Sequence, residues 1–130
     1  MKILIIDQVH PVLTERLEEK GHQTEYKPTI GPDEIRRSIG YYHGLVIRSK
    51  MHIDRKLIDL AGQLQFIVRM GSGMENIDSR YARSRGIACM NTPEGNRDAV
   101  GEHALGLLLG LMNRMGTANN EVKSGIWRRE

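Results

Sequence analysis

The apolar residues of the chain fall into two rhythms. Short, nearly continuous runs of aliphatic and β-branched residues occupy positions 2–6, 44–47, 64–68 and 87–90. Between them lie stretches in which apolar residues recur every three or four positions. A continuous run of this length marks a strand buried on both faces, and the longer spacing marks a helix with one apolar side. Residues 10–20 carry Val12, Leu13 and Leu17 at helical spacing and end at Gly21; residues 23–27 form a weaker second strand. Gly31-Pro32-Asp33 opens a helix with Ile35 and Ile39 on one side, and Asp54 caps another that carries Leu57, Ile58 and Ala61. Residues 79–85 make a short helix stopped by Gly86. Five strands alternating with helices predict an α/β fold over residues 1–98: a doubly wound, parallel five-stranded sheet with helices on both faces.

From residue 99 to 115 the pattern is that of one long helix, apolar nearly all round, with Ala104, Leu105, Leu107, Leu108, Leu109, Leu111 and Met112. Such a helix is covered on several sides. Gly106 and Gly110, four apart, would admit a second helix closely, although ordinary core packing explains them as well. A further amphipathic stretch with Ala118 and Val122 leads to Gly125-Ile126-Trp127 and the charged Arg128-Arg129-Glu130. Residues 99–130 are therefore expected to be interdomain helices leading to a domain beyond this chain. An apolar helix deprived of its cover favours association, so a homodimer is expected.

Composition narrows the partners. The chain has 130 residues, 39% hydrophobic and 27% charged, which suits one folded domain with its own core. The net charge is +3, with Lys and Arg dispersed rather than gathered in blocks with aromatics. Nucleic acid is not an expected partner; a small anion is compatible with this charge. The single cysteine, Cys89, allows no internal disulfide and no metal-ligand spacing, and its apolar neighbours predict a buried, inert thiol. The apolar run at residues 3–6 is too short for a signal peptide, and residues 104–112 are too few to span a membrane. A reduced, soluble, cytoplasmic protein without membrane contact or metal is expected.

Ligands of parallel sheets bind beyond the carboxyl ends of the strands. That rule selects Asp7, Arg48-Ser49-Lys50, residues 69–78 and residues 91–96. The most informative run is Arg69-Met70-Gly71-Ser72-Gly73-Met74-Glu75-Asn76-Ile77-Asp78, directly after a predicted strand. Two glycines separated by one residue let successive N–H groups converge on an anion, aided by a guanidinium; the same residues also suit a tight turn with no ligand. It is not a dinucleotide fingerprint, because the third glycine position is Asn76. Arg48-Ser49-Lys50 offers two cations and a hydroxyl, which fits a carboxylate or phosphate site or a solvated loop. Glu102 and His103 are adjacent on the long helix and diverge by roughly 100°, so they form no acid–base pair. Asp7 invites comparison with phosphoacceptor receiver domains. Its neighbours are Ile6 and Gln8, and the third strand ends in Arg48, so the further acids such a site needs are missing.

Taken in order, Val46-Ile47-Arg48-Ser49, the run from Arg69 to Asp78, Gly86-Ile87-Ala88-Cys89-Met90-Asn91-Thr92-Pro93-Glu94-Gly95-Asn96, Val100-Gly101-Glu102-His103-Ala104-Leu105 and Gly125-Ile126-Trp127 resemble the D-isomer-specific 2-hydroxyacid dehydrogenases. The match in motifs runs from about Gly44 to the last residue; the first third matches in pattern. The resemblance implies a flavodoxin-like substrate-binding domain. The N–H groups of Gly71, Ser72 and Gly73 would hold the α-carboxylate of a 2-hydroxy or 2-oxo acid. Arg48, Ser49, Lys50 and Arg69 would meet a far anionic group, with 3-phosphoglycerate as the expected substrate, and Val100 would lie near the nicotinamide of NAD. Met74-Glu75 departs from the smaller apolar residue and Asp that many members carry. The family's catalytic arginine and its histidine–glutamate pair lie in a downstream domain, so no catalytic residue is expected in this chain and no turnover from it alone. A non-catalytic module that binds a small carboxylate is the competing expectation.

Overall fold

The computed structural model describes residues 1–128. The chain divides into two compact units, Met1–Pro93 and Glu94–Glu130. In the first, strands β1 (Lys2–Ile5), β2 (Gln23–Tyr26), β3 (Gly44–Ile47), β4 (Phe66–Arg69) and β5 (Ala88–Asn91) alternate with helices α1 (Val12–Glu19), α2 (Pro32–Ser38), α3 (Arg55–Leu60) and α4 (Ser79–Ser84). All strand pairs are parallel, in the order β2-β1-β3-β4-β5. The predicted doubly wound sheet is thus present.

Alternation along the strands divides the core. Leu4, Ile6, Leu45, Ile47 and Ile67 pack with Ile35 of α2, Leu57 and Ile58 of α3 and Ala82 of α4. Ile3, Ile5 and Val46 face the other way, with Leu13 and Leu17 of α1 and the half-buried Phe66, Val68 and Met70. Successive side chains of a strand point to opposite faces, which is why a continuous apolar run is needed to fill both layers. Gly44 is required by packing: a Cβ there would overlap the ring of Phe66, its partner across β3 and β4.

Several sequence expectations change. α1 begins at Val12 rather than His10, because Pro11 stands at its N-cap. β4 begins at Phe66 rather than Leu64; Leu64 is buried, yet its N–H is bonded to the Ala61 carbonyl in the preceding turn. Its apolar character reports packing, not strand pairing. A 3-10 turn, Ile39–Tyr41, extends α2 and places Ile39 in the core. Cys89 is half-buried rather than buried; burial still pushes its thiol pKa up, which disfavours the reactive thiolate.

The second unit contains α5 (Glu94–Met112) and α6 (Met115–Lys123). The long helix starts five residues before the apolar pattern does, since its first turns are polar and carry no periodic signal. It ends earlier as well. Arg114 adopts a left-handed conformation, φ 51°, and divides what the sequence suggests is one helix to residue 115. Arg129 and Glu130 of the charged end lie outside the described residues. Among the described residues no helix is long and apolar enough to cross a membrane.

Candidate functional site

In a sheet of order 2-1-3-4-5 the chain reverses its direction of travel between β1 and β3, and the crevice beyond their carboxyl ends is the expected ligand site. The register brings the relevant loops to that edge. Ile5 is level with Val46, so Asp7, two residues on, arrives beside Arg48. Ile47 is level with Arg69, and Arg69 with Asn91.

The loop after β3 is held from three directions. One carboxylate oxygen of Asp7, Oδ2, accepts the N–H groups of Arg48 at 2.6 Å, Ser49 at 3.2 Å and Lys50 at 3.3 Å. The Lys50 ammonium donates to the carbonyls of Pro28 and, at 3.3 Å, Ile30. The Arg48 carbonyl accepts from Arg69 Nε at 3.2 Å and from Asn76 Nδ2 at 3.3 Å. The side chains of Arg48 and Ser49 remain exposed and line a cavity of about 390 Å³ with Asp7, Gln8 and Pro28.

The glycine loop adjoins this one through Arg69. The Arg69 guanidinium lies where a Cβ on Gly71 would fall, and the carboxylate of Glu75 lies where one on Gly73 would fall. Gly71 has φ 157°, a backbone conformation that residues with a side chain rarely adopt. Its N–H donates to the Arg69 carbonyl at 2.9 Å, and its carbonyl accepts the Thr92 N–H at 3.0 Å. Asn91 Nδ2 donates to the Ser72 carbonyl at 2.6 Å. The N–H groups of Ser72 and Gly73 have no hydrogen-bond partner among the described residues.

Arg48, Ser49, Lys50, Arg69, Gly71, Ser72 and Gly73 therefore occupy one edge of the sheet. The predicted loop supplies two free backbone donors rather than three, because the Gly71 N–H is used within the turn. Val100 and His103 lie on α5, in the second unit, and both are exposed. Sequence reasoning missed the supporting roles of Asp7, Asn76 and Asn91. For Asp7 the signal was partial: it follows a buried strand, but only the adjacency of β1 and β3 in the folded sheet places it beside the Arg48 loop.

The sequence matches the model of the family described as D-isomer specific 2-hydroxyacid dehydrogenase, catalytic domain, over residues 3–126. The chain belongs to that family. Among curated relatives, it is 32% identical over 130 residues to D-3-phosphoglycerate dehydrogenase of Archaeoglobus fulgidus and 33% identical over 129 residues to that of Sus scrofa. It is covered over 100% and 99% of its length, but spans only 25% and 24% of theirs. Among solved structures, a protein of Pyrococcus horikoshii OT3 superposes with a TM-score of 0.88 at 25% identity, over 99% of this chain and 38% of that one. The NAD+-bound 3-phosphoglycerate dehydrogenase of Entamoeba histolytica gives 0.70 at 29% identity, over 85% of this chain and 38% of that one. The 2-hydroxyacid dehydrogenase family consists of oxidoreductases, and the α/β fold described above corresponds to part of each of these solved structures.

Proposed function

We propose that this chain is the substrate-binding domain of an NAD-dependent D-2-hydroxyacid dehydrogenase acting on 3-phosphoglycerate in the cytoplasm. The reading rests on one observation above all: two free N–H groups, of Ser72 and Gly73, stand at the same sheet edge as the cationic loop of Arg48. A carboxylate at the glycine loop would accept those two N–H groups, with the Arg69 guanidinium beside it. The exposed side chains of Arg48 and Ser49 would take the phosphate, for which a guanidinium is a geometrically matched donor. Lys50 supports the loop through the carbonyls of Pro28 and Ile30. The names of the curated relatives favour phosphoglycerate among the possible 2-hydroxy acids.

The residues of this chain do not fit the dinucleotide itself. The glycine loop carries Asn76 where a third glycine would open a pyrophosphate site. Val100 on α5 is the one residue assigned a place near the nicotinamide, and hydride transfer belongs to the rest of the protein. The chain's own contribution is to bind and orient the acid.

Two measurements test this. NMR titration of the 130-residue chain with 3-phosphoglycerate should shift the amide signals of Ser72, Gly73, Arg48 and Ser49 together, and the chain should not reduce NAD. Shifts confined to other regions, or NAD turnover by this chain, would overturn the assignment.

A further inference from the structure

Asp7 has no counterpart among the groups assigned to the substrate, yet it makes more contacts to the anion loop than any of them. Its Oδ2 collects three consecutive backbone N–H groups, those of Arg48, Ser49 and Lys50. Three successive N–H groups turned to one point are themselves an anion nest. Here the protein's own carboxylate occupies it, at the β1–β3 crevice where a ligand is expected.

Two consequences follow from that occupancy. The backbone donors of the loop are closed to the ligand, so a far anionic group can be met there only by the side chains of Arg48 and Ser49, which are exposed around the adjoining cavity. The loop's conformation is also set before any ligand arrives. Charge-assisted bonds to the three amides fix the Arg48 backbone, whose carbonyl is simultaneously held by Arg69 and Asn76. Arg69 in turn lies against Gly71, so the spacing between the far-anion loop and the carboxylate loop passes through the segment that Asp7 anchors.

We infer that Asp7 is a positioning residue that sets selectivity for acids bearing a second, distal anion. It fixes Arg48 and Ser49 at the required distance from the glycine loop while keeping the loop's amides from capturing an anion in the wrong place. The inference deepens the proposed function and rests on it for the identity of the ligand.

The test compares the 130-residue chain with Asp7→Ala and Asp7→Asn. An asparagine keeps an oxygen that can accept the three N–H groups; alanine removes it. Asp7→Ala should weaken 3-phosphoglycerate by about tenfold, as expected when the hydrogen bonds that fix the loop lose their acceptor, while D-glycerate, without the phosphate, changes less than about twofold. Asp7→Asn should restore most of the difference. Equal weakening of both acids, or no weakening of 3-phosphoglycerate, would overturn the selectivity role. Amide exchange in the ligand-free chain supplies a readout that does not depend on the substrate. Exchange at Arg48, Ser49 and Lys50 should accelerate about tenfold or more in Asp7→Ala but not in Asp7→Asn, with the amides of β4 unchanged. If the unsubstituted chain binds neither acid, the proposed substrate falls, and amide exchange still decides for or against the anchoring role.

Discussion

At the scale of single residues, Glu25 on β2 joins β1 and the turn before β3 through one carboxylate. Its carboxylate receives Lys2 Nζ at 2.6 Å, Lys27 Nζ at 2.9 Å and the Tyr42 hydroxyl at 2.7 Å. The hydrogen bond from Lys2, followed by those from Tyr42 and Lys27, brings its pKa down to about 2 from the ordinary 4.5. Burial and the same carboxylate push the Tyr42 phenol well up, so it stays a donor throughout the usual pH range. A carboxyl whose pKa is lower folded than unfolded stabilises the fold above the unfolded value and loses that contribution as pH falls through the folded one. Glu25→Gln should therefore cost about 1 kcal/mol near neutral pH, in the range for hydrogen bonds to a charged group partly open to solvent. The difference from the unsubstituted chain should shrink between about pH 5 and pH 2, where the wild-type carboxylate protonates. Urea unfolding at a series of pH values measures this; a difference independent of pH would show that the network contributes through shape and not charge.

At the scale of elements, α3 and α4 are both opened by an aspartate. Asp54 accepts the Leu57 N–H at 2.9 Å, and Asp78 accepts the Tyr81 N–H at 3.1 Å. Asp78 also takes Arg55 Nε at 3.0 Å, so the cap of α4 is tied to the first turn of α3, and that arginine is the chief cause of the lowered pKa of Asp78. Both helices are six residues long and would be marginal without caps and packing. Asp54→Ala should destabilise the domain by about 1 kcal/mol, the usual value of an N-cap. Chemical denaturation measures it, and a loss below a few tenths would mean that burial of Leu57 and Ile58 alone holds α3. Asp54 was readable in the sequence because an apolar helical pattern begins immediately after it. Asp78 was not, because it closes the glycine run and the helix that follows carries little apolar periodicity. The same logic governs the remaining elements. β1, β3 and the alternation of strands with helices were legible because central parallel strands must be apolar on both sides. The start of α5 at Glu94 was not, because its first turn is polar, and neither was the break at Arg114, because a left-handed arginine leaves no pattern in apolar spacing. The site was legible as loops, since the sheet architecture assigns them. Its internal hydrogen bonds, the Asp7 clamp above all, depend on which strands lie side by side, and only the strand order reveals that.

At the scale of the whole molecule, the question is what covers α5. Leu105, Leu107, Leu108, Leu111 and Met112 are all at least half exposed, with Leu111 at 77%. Their leucines follow one another around the helix, so turning it cannot hide them all, and a helix of this composition is expected to be enclosed. Covering a leucine side chain gains roughly 1.5–3 kcal/mol, so several together exceed what a monomer forgoes at modest protein concentration. The chain spans about a quarter of the length of its curated relatives, and the remainder of such a protein would be one source of cover. For the 130-residue chain by itself, a second copy is the available one, joined through a two-fold contact between the same surfaces. The expected outcome is a dimer by multi-angle light scattering at concentrations used for NMR. Leu107→Glu with Leu111→Glu should shift it to a monomer, because two buried carboxylates without partners are costly at such a contact. These substitutions lie in the second unit, so the Met1–Pro93 sheet should keep its unfolding midpoint and its amide spectrum. A monomer at every concentration for the unsubstituted chain would mean that α5 needs a different partner. A dimer that survives both substitutions would move the contact to the sheet unit, where Phe66, Val68 and Met70 are only half covered.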